Sequence, residues 1–466
     1  MSAVKTAGAA NTAPRRLLDA EPARVMSREA CEALFKRVVA LAAGGGETAV
    51  TIDAWWEGNL RWARNRATTA GDSTDHGVRI TRIIRGARSD ISTNKFDDAS
   101  LTLALRSAEK TLRYYTENPD NSPMPPAQTY LQPKLWSEAT YNLTAAERSN
   151  TARAMTDPVV AKQLVAAGYL ETDARVRAIF NTSGMNAYYA QTYGEYSVTV
   201  RNPQGTGSGW AGVTKQDWAA IDVKGLSAKA LAKCVGSADP RAIEPGRYTL
   251  IMEPQAVRDF FESTVYALDR WSAENMQTVY TLSPGQSKIG MQIFDARITV
   301  SADPMDPDGG FIPFDYEGYP FRPVKWVENG VLKELSYSRQ YALSTLGHGE
   351  ALPNSYGFRM SGGTTSIDEM IASTERGLIV TRLSDVQTLD GVSLLSTGVS
   401  RDGLWLIEKG KIKFPVKNMR FTESPMFAFN NVLALGVPER VYGYYPAIVP
   451  PAKVRDFNFT SLSDAV

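Results

Sequence analysis

Near its start the chain sets a run of strand-like segments between two amphipathic helices, and this order limits what it can fold into. Ser27 is a fair N-cap for REACEALFKRVVALAA, whose Cys31, Leu34, Phe35, Val38 and Leu41 form one apolar face, and the triple glycine at 44–46 stops it. TAVTIDAWW, NLRWARN and ATTAGDSTDHGVRITRIIRGARSDIST follow, their alternation broken by Gly58, Gly71 and Gly86, as in an antiparallel meander. From Asp97, DDASLTLALRSAEKTLRYY returns to helical spacing. Strands grouped in this way favour an α+β fold over a doubly wound sheet.

A chain of 466 residues exceeds one ordinary core, so two or three domains are expected. Residues 1–26 are Ala-rich and polar and read as a mobile tail; Arg15 and Arg16 precede LLDAEPARVM, which has acidic residues where an export signal needs an apolar stretch. The Pro-rich NPDNSPMPPAQTYLQPKLW at 118–136 closes an N-terminal helix-plus-antiparallel-sheet domain over 27–117 and opens a middle α/β segment over 118–236. In that segment TAAERSNTARAMTDPVVAKQLVAAG is helical with a proline interruption, ARVRAIFNTSG and AYYAQTYGEYSVTVRNPQ are strands, and AKALAKCVG is a helix. SADPRAIEPG leads into a C-terminal domain, 237–466, dominated by a curved antiparallel sheet. Its longest strand signals are GMQIFDARITVSAD, YPFRPVKWVENGVLKELSYS and LWLIEKGKIKFPVKNMRF, with VENG and IEKG as hairpin turns.

Lys plus Arg total 51 against 50 Asp plus Glu, which gives no electrostatic case for nucleic acid or an anionic membrane. No run of about 18 apolar residues exists to span a bilayer. Cys31 and Cys234 are too few for a disulfide framework and suggest a reducing compartment; both read as small helix-face residues. His76 and His348 are the only histidines, so a helical pair at i, i+4 is impossible and a Cys/His zinc cluster is out of reach. Composition leaves open only a carboxylate site for a hard cation.

Three motifs invite chemistry and read better as scaffold. GSGWAG at 207–212 satisfies G-x-G-x-x-G but lacks the following helix and second strand of a dinucleotide site, and reads as a flexible glycine loop. TGVSRDG at 397–403 has Arg401 and Asp402 after Ser400, where a nucleophile elbow needs glycine at the second place, and only His76 or His348 could serve as its base. ADPMDPDGGFIPFDYEG concentrates Asp303, Asp306, Asp308, Asp315 and Glu317 without EF-hand spacing, in a loop stiffened by Pro304, Pro307 and Pro313. Glu253, Asp259 and Glu262 lie on one predicted helix in LIMEPQAVRDFFE, yet Glu253 and Asp259 stand about 240° apart beyond a full turn and do not share a face.

From 237 onward the chain resembles the TldD/PmbA metallopeptidase family, in which TldE is another name for PmbA. PGRYTLIMEPQAV, DGGFIPFDYEGYPFRPVKWVENGVLKELSYSRQYA, SYGFRMSGGTTSIDEMIASTERGLIVTRL and STGVSRDGLWLIEKGKIKFPVKNMRFTES carry the resemblance, and the first meander looks like the family's N-terminal domain. The resemblance implies a zinc site of the form H-E-x-x-x-H in TldD-type subunits, with a cysteine further on, and no such site in PmbA-type ones. Aligned through Ala256 and Val257, the first His and the Glu fall on Pro254 and Gln255, the second His on Asp259, and the cysteine near Ile298. Pro and Ile have no side-chain ligand atom, and Gln does not ionise to act as a base. The resemblance thus implies a cytoplasmic PmbA/TldE-like subunit with no catalytic residue or metal of its own, inactive alone. It would pair with a zinc-bearing TldD-like homologue and act on unfolded peptides. Two alternatives are a self-assembling protein that binds peptide or another ligand without cutting, and an enzyme with new chemistry in the old cavity built on Glu253, Asp259 or His348.

Overall fold

The computed structural model describes residues 24–118, 121 and 123–463. Of the tail expected over 1–26, residues 1–23 lie outside the described residues, whereas Arg24 is packed: it sits 4.1 Å from the Trp56 ring and donates to the Tyr141 carbonyl.

The first elements follow the expected order: α1 (Arg28–Leu41), β1 (Glu47–Ala63), β2 (Arg66–Ile84), β3 (Ala87–Thr93) and α2 (Asp98–Thr111). The Ser27 hydroxyl accepts from the Ala30 amide and the Asp97 carboxylate from the Ser100 amide, so both helices begin on a side-chain cap. Gly44, Gly45 and Gly46 all have positive φ, which lets the chain leave α1 and reverse directly into β1.

Next come α3 (Glu138–Tyr141), α4 (Ala145–Ala161), β4 (Val165–Asn181), β5 (Asn186–Arg201), β6 (Ser208–Lys215) and α5 (Val223–Gly236). Pro158, read as an interruption, lies inside α4, which a capping box between Thr144 and Glu147 starts firmly. β4 pairs with β1, so one antiparallel sheet runs β3-β2-β1-β4-β5-β6. The connector at 118–136 therefore joins strands of a single sheet, where the sequence suggested a division between two units.

Alternation sorts the two faces of this sheet. Even-numbered residues of β1 and β4, such as Val50, Ile52, Ala54, Val176 and Ala178, are buried against α1 and α2. Further along, Leu60, Trp62, Leu170 and Tyr196 are buried against α4 and α5. With the helices on that side, the odd-numbered face is left to meet the C-terminal domain.

β7 (Gly246–Met252) passes through Glu253 into α6 (Pro254–Tyr266). It belongs to a seven-stranded sheet, in which it lies between Arg376–Asp390 and Ala452–Leu462, followed by Met419–Glu423, Leu395–Glu408 and Lys411–Pro415, with Val432–Leu435 also paired to Ala452–Leu462. Arg376–Asp390 also pairs with Leu395–Glu408, which closes the curved sheet on itself. Pairing is antiparallel apart from β7 with Arg376–Asp390 and, in a second six-stranded sheet, Phe358–Met360 with Ala447–Val449. Phe260 of α6 meets Phe421 and Phe457 edge-on at 5.5 and 5.3 Å, and Phe261 meets Phe429 at 4.9 Å, so the helix anchors the domain core.

The turns in VENG and IEKG are present: Asn329-Gly330 and Lys409-Gly410 have positive φ at both central residues, as two-residue hairpins require. GMQIFDARITVSAD is a long strand only in its sequence pattern. The chain is extended at Val300–Ala302, while Asp295 accepts from Arg297 and Ile298 in a turn just before it.

Candidate functional site

Of the four positions to which the family resemblance assigns zinc chemistry, Pro254, Gln255 and Asp259 lie on the first two turns of α6, and Ile298 lies just before the strand Val300–Ala302. Pro254 is the first helical residue, where a missing N–H costs nothing. Gln255 donates to Asp259 Oδ1 at 2.7 Å and to the Tyr442 carbonyl at 3.2 Å, and its Oε1 accepts from the Tyr442 amide at 3.1 Å. Asp259 Oδ2 accepts from the Leu383 amide at 3.2 Å; burial raises its carboxyl to about 6 against the pull of Arg258. Ile298 is a fully buried core residue. Two of the four positions carry no ligand atom, and the other two are bonded to each other and to backbone. These residues do not fit a zinc ion.

Glu253, just before the helix, points elsewhere. Lys233 and Lys229 of α5 hold it at 2.6 and 3.2 Å, and Lys233 also donates to Thr381. It and Asp259 thus serve separate networks, as their angular offset required. Arg258 takes Glu262 at 2.6 Å.

The remaining candidates do not come together. His76 is exposed on β2 with its ring 4.8 Å from Phe96, and His348 is exposed in a loop beside Tyr337. Ser400 is buried and bonds to Asn418 and the Met419 amide, without a base beside it. Asp402, at φ 58°, is buried against Arg382 at 2.6 Å and Ser208 at 2.5 Å. GSGWAG forms most of β6 and is no loop. A Cβ on Gly209 would stand 2.2 Å from the Ala230 carbonyl, so its glycines let α5 lie directly on the strand. Both cysteines are buried, and burial pushes the Cys31 thiol up to about 12 and the Cys234 thiol up to about 11. In the acidic loop, Arg359 holds Asp306 at 2.6 Å and Asp308 at 3.2 Å, while Asp315 and Glu317 reach a cavity. Among the described residues no group of three or more His, Cys, Asp or Glu side chains is placed to hold a metal ion.

That cavity, about 800 Å³, lies between the odd-numbered face of the N-terminal sheet and loops of the C-terminal domain. β1 supplies Asp53, Trp55 and Glu57, and β4 supplies Glu171, Arg175 and Arg177. Tyr189, Tyr193 and Glu195 of β5 stand beside them, facing Tyr316, Tyr356 and Tyr444. Strand register makes the wall: Glu171 is opposite Glu195 and Arg175 is opposite Trp55. Tyr442 ties the wall to α6, with its backbone on Gln255 and its hydroxyl on Glu195. The sequence reading missed this wall. Its signal was Glu171, Asp173, Arg175 and Arg177 at period two in a strand whose other face is apolar.

Residues 245–461 match the family model described as the PmbA/TldA metallopeptidase C-terminal domain. Among solved structures, a modulator of a DNA gyrase from Thermotoga maritima is 17% identical, with a TM-score of 0.82 over 92% of this chain and 100% of that one. TldE from Thermococcus kodakarensis is 16% identical with a TM-score of 0.78, over 92% of this chain and 99% of its own. A modulator of DNA gyrase from Bacteroides thetaiotaomicron is 17% identical with a TM-score of 0.79, over 92% and 98%. No curated protein matches the chain in sequence. The described residues include no helix long and apolar enough to cross a membrane.

Proposed function

From a C-terminal domain of the PmbA/TldD metallopeptidase family, on a chain with the TldE fold, we propose that this protein is a non-catalytic TldE-like subunit. It pairs with a zinc-bearing TldD-like homologue in the cytoplasm, where the zinc and the hydrolysis belong to the partner. The observation that carries this reading is the side-chain set at Pro254, Gln255, Asp259 and Ile298, which offers no zinc ligand set and, in Gln255, no ionisable group at the position of the base. This chain contributes a cavity for an unfolded peptide. Its size suits an extended segment, its tyrosines offer large rings of low entropy cost, and a chamber between domains excludes folded proteins by shape. Two buried free thiols favour a reducing compartment.

Co-expression with a zinc-bearing homologue from the same host tests the proposal by light scattering, zinc content and hydrolysis of an unfolded peptide. A mixed complex with zinc on the partner and no hydrolysis by this chain alone is expected. Stoichiometric zinc and peptide hydrolysis by this chain alone would refute it. One observation favours a second reading, an autonomous binding protein that self-assembles: a single chain supplies both walls of the cavity. A stable homodimer that ignores the homologue would select it.

A further inference from the structure

Three arginines line the cavity, and they are not equally engaged. Arg175 holds Asp173 at 2.6 Å and Arg177 holds Asp53 at 2.6 Å, so each has a carboxylate partner. Arg440 makes no ion pair among the described residues; the acids whose charge reaches it, Asp306 and Asp308, are taken by Arg359 at 2.6 and 3.2 Å. Its Nη1 donates instead to the backbone carbonyls of Asp308, at 3.1 Å, and Gly309. The Gln216 side-chain amide donates to the next carbonyl, that of Gly310, at 3.1 Å, so three successive carbonyls of one loop fix two cavity-lining side chains.

A second observation concerns the rest of that guanidinium. Its Nε is buried and has no hydrogen-bond partner, which leaves the Nε–Nη2 edge, the one that takes a carboxylate with two parallel bonds, without an acceptor among the described residues. Burial lowers Arg440 to about 10, so it stays charged at neutral pH, and a covered cationic donor without an acceptor is costly. Bulk solvent does not reach Nε; an acceptor has to come with a ligand that other contacts already hold in the cavity. The cavity's tyrosines offer such contacts: Tyr445 lies 4.9 Å from Tyr444 and 5.3 Å from Tyr356, ring to ring, and all three are on the lining. The remaining charged lining is mostly acidic, with Glu57, Glu171 and Glu195 on the sheet and Asp315 and Glu317 on a loop, which disfavours a phosphate or other multivalent anion relative to a single carboxylate.

We infer that Arg440 anchors a carboxylate of an extended peptide in the cavity, its C-terminal carboxylate or an acidic side chain, through the Nε–Nη2 edge. The Nη1 bonds to the loop carbonyls hold the guanidinium plane while that edge is filled, a pre-organisation that a planar fork provides and an ammonium does not. The inference rests on the cavity receiving a peptide, but needs neither partner nor zinc.

Calorimetric titration of the full chain tests it with four probes: an N-acetylated pentapeptide amide of neutral residues, the same peptide with a free C-terminal carboxylate, the amide with glutamate at its centre, and acetate. At least one carboxylate peptide should bind about tenfold more tightly than the neutral amide, the worth of one charge-assisted hydrogen bond, and which of the two does so separates the chain end from the side chain. Arg440→Gln, checked for folding by circular dichroism, should bind all three peptides alike, and a preference that survives in it overturns the assignment. Should it fail to fold, Arg440→Lys, which keeps the charge and loses the planar edge, must narrow the preference at least about threefold, and an unchanged preference overturns the assignment. Equal binding of all three peptides by the parent chain overturns the anchor and leaves peptide binding standing, whereas binding of none overturns both. Acetate binding as tightly as the better carboxylate peptide would overturn the peptide in favour of a free anion. None of these outcomes depends on subunit pairing.

Discussion

Glu253→Gln should destabilise the protein far more than a loss of one surface charge would. Glu253 is 7% exposed, caps the start of α6 in backbone geometry, and anchors the buried Lys233 at 2.6 Å. Burial already lowers Lys233 from 10.5 to about 8 although Glu253 pulls the other way. At ~1.4 kcal/mol per tenfold, that depression costs the protonated fold ~3 kcal/mol even with its partner present. Removing the carboxylate leaves a buried ammonium with the neutral Thr381 hydroxyl as an acceptor, and breaking such a pair costs ~3–5 kcal/mol. The sign with pH follows from a base whose folded pKa is depressed: the unfolded chain binds the extra proton between about 8 and 10.5, so stability rises with pH across that window. Urea unfolding should therefore show a large loss for E253Q at pH ~7 and a smaller one at pH ~9.5, where Lys233 is neutral. Adding Lys233→Met should recover most of the loss. A loss below ~0.5 kcal/mol, an equal loss at both pH values, or a double variant no better than the single would refute the anchor role.

Two further substitutions probe the same region. Gly209→Ala places a methyl 2.2 Å from the Ala230 carbonyl and 2.5 Å from the Cys234 amide nitrogen, and overpacking of this kind should cost ~1–3 kcal/mol in thermal unfolding; an unchanged midpoint would mean that α5 does not lie directly on β6. Gln255→Glu sets a carboxylate against Asp259 Oδ1 and the Tyr442 carbonyl. Facing carboxylates hold a proton more tightly in the fold than in the unfolded chain, so this variant should lose stability as pH rises through about 6 and regain it in acid; a flat comparison with the parent between pH ~5 and ~8 contradicts the network.

The elements easiest to read in advance were those specified locally. The cap at Ser27, the triple glycine and the two-residue turns at 329–330 and 409–410 act within a few residues, and the structure has them all. GMQIFDARITVSAD misled because its apolar residues are core residues of a turn-rich segment. Ile293, Phe294 and Ile298 are buried with their backbones bonded to the single residue Gly330 of a hairpin turn and not to a continuous ladder, and periodicity alone does not separate those cases. The glycines of GSGWAG were read as flexibility because the helix that needs them lies some twenty residues onward.

By itself the sequence determined that no histidine pair, disulfide framework or membrane helix is available, and which residues, Pro254, Gln255, Asp259 and Ile298, occupy the positions that the family resemblance implies for zinc. These are matters of residue identity, which folding does not alter. Tertiary structure alone decided what those residues do instead: Gln255 clasps Asp259 and the backbone of Tyr442, 187 positions away. It likewise gathered Glu57, Glu171 and Glu195 on one wall, because β4 inserts beside β1 across more than a hundred residues of chain. Strand register is set by the pairing of distant segments, and in one sequence each of those carboxylates is only an ordinary charge on the polar side of a strand.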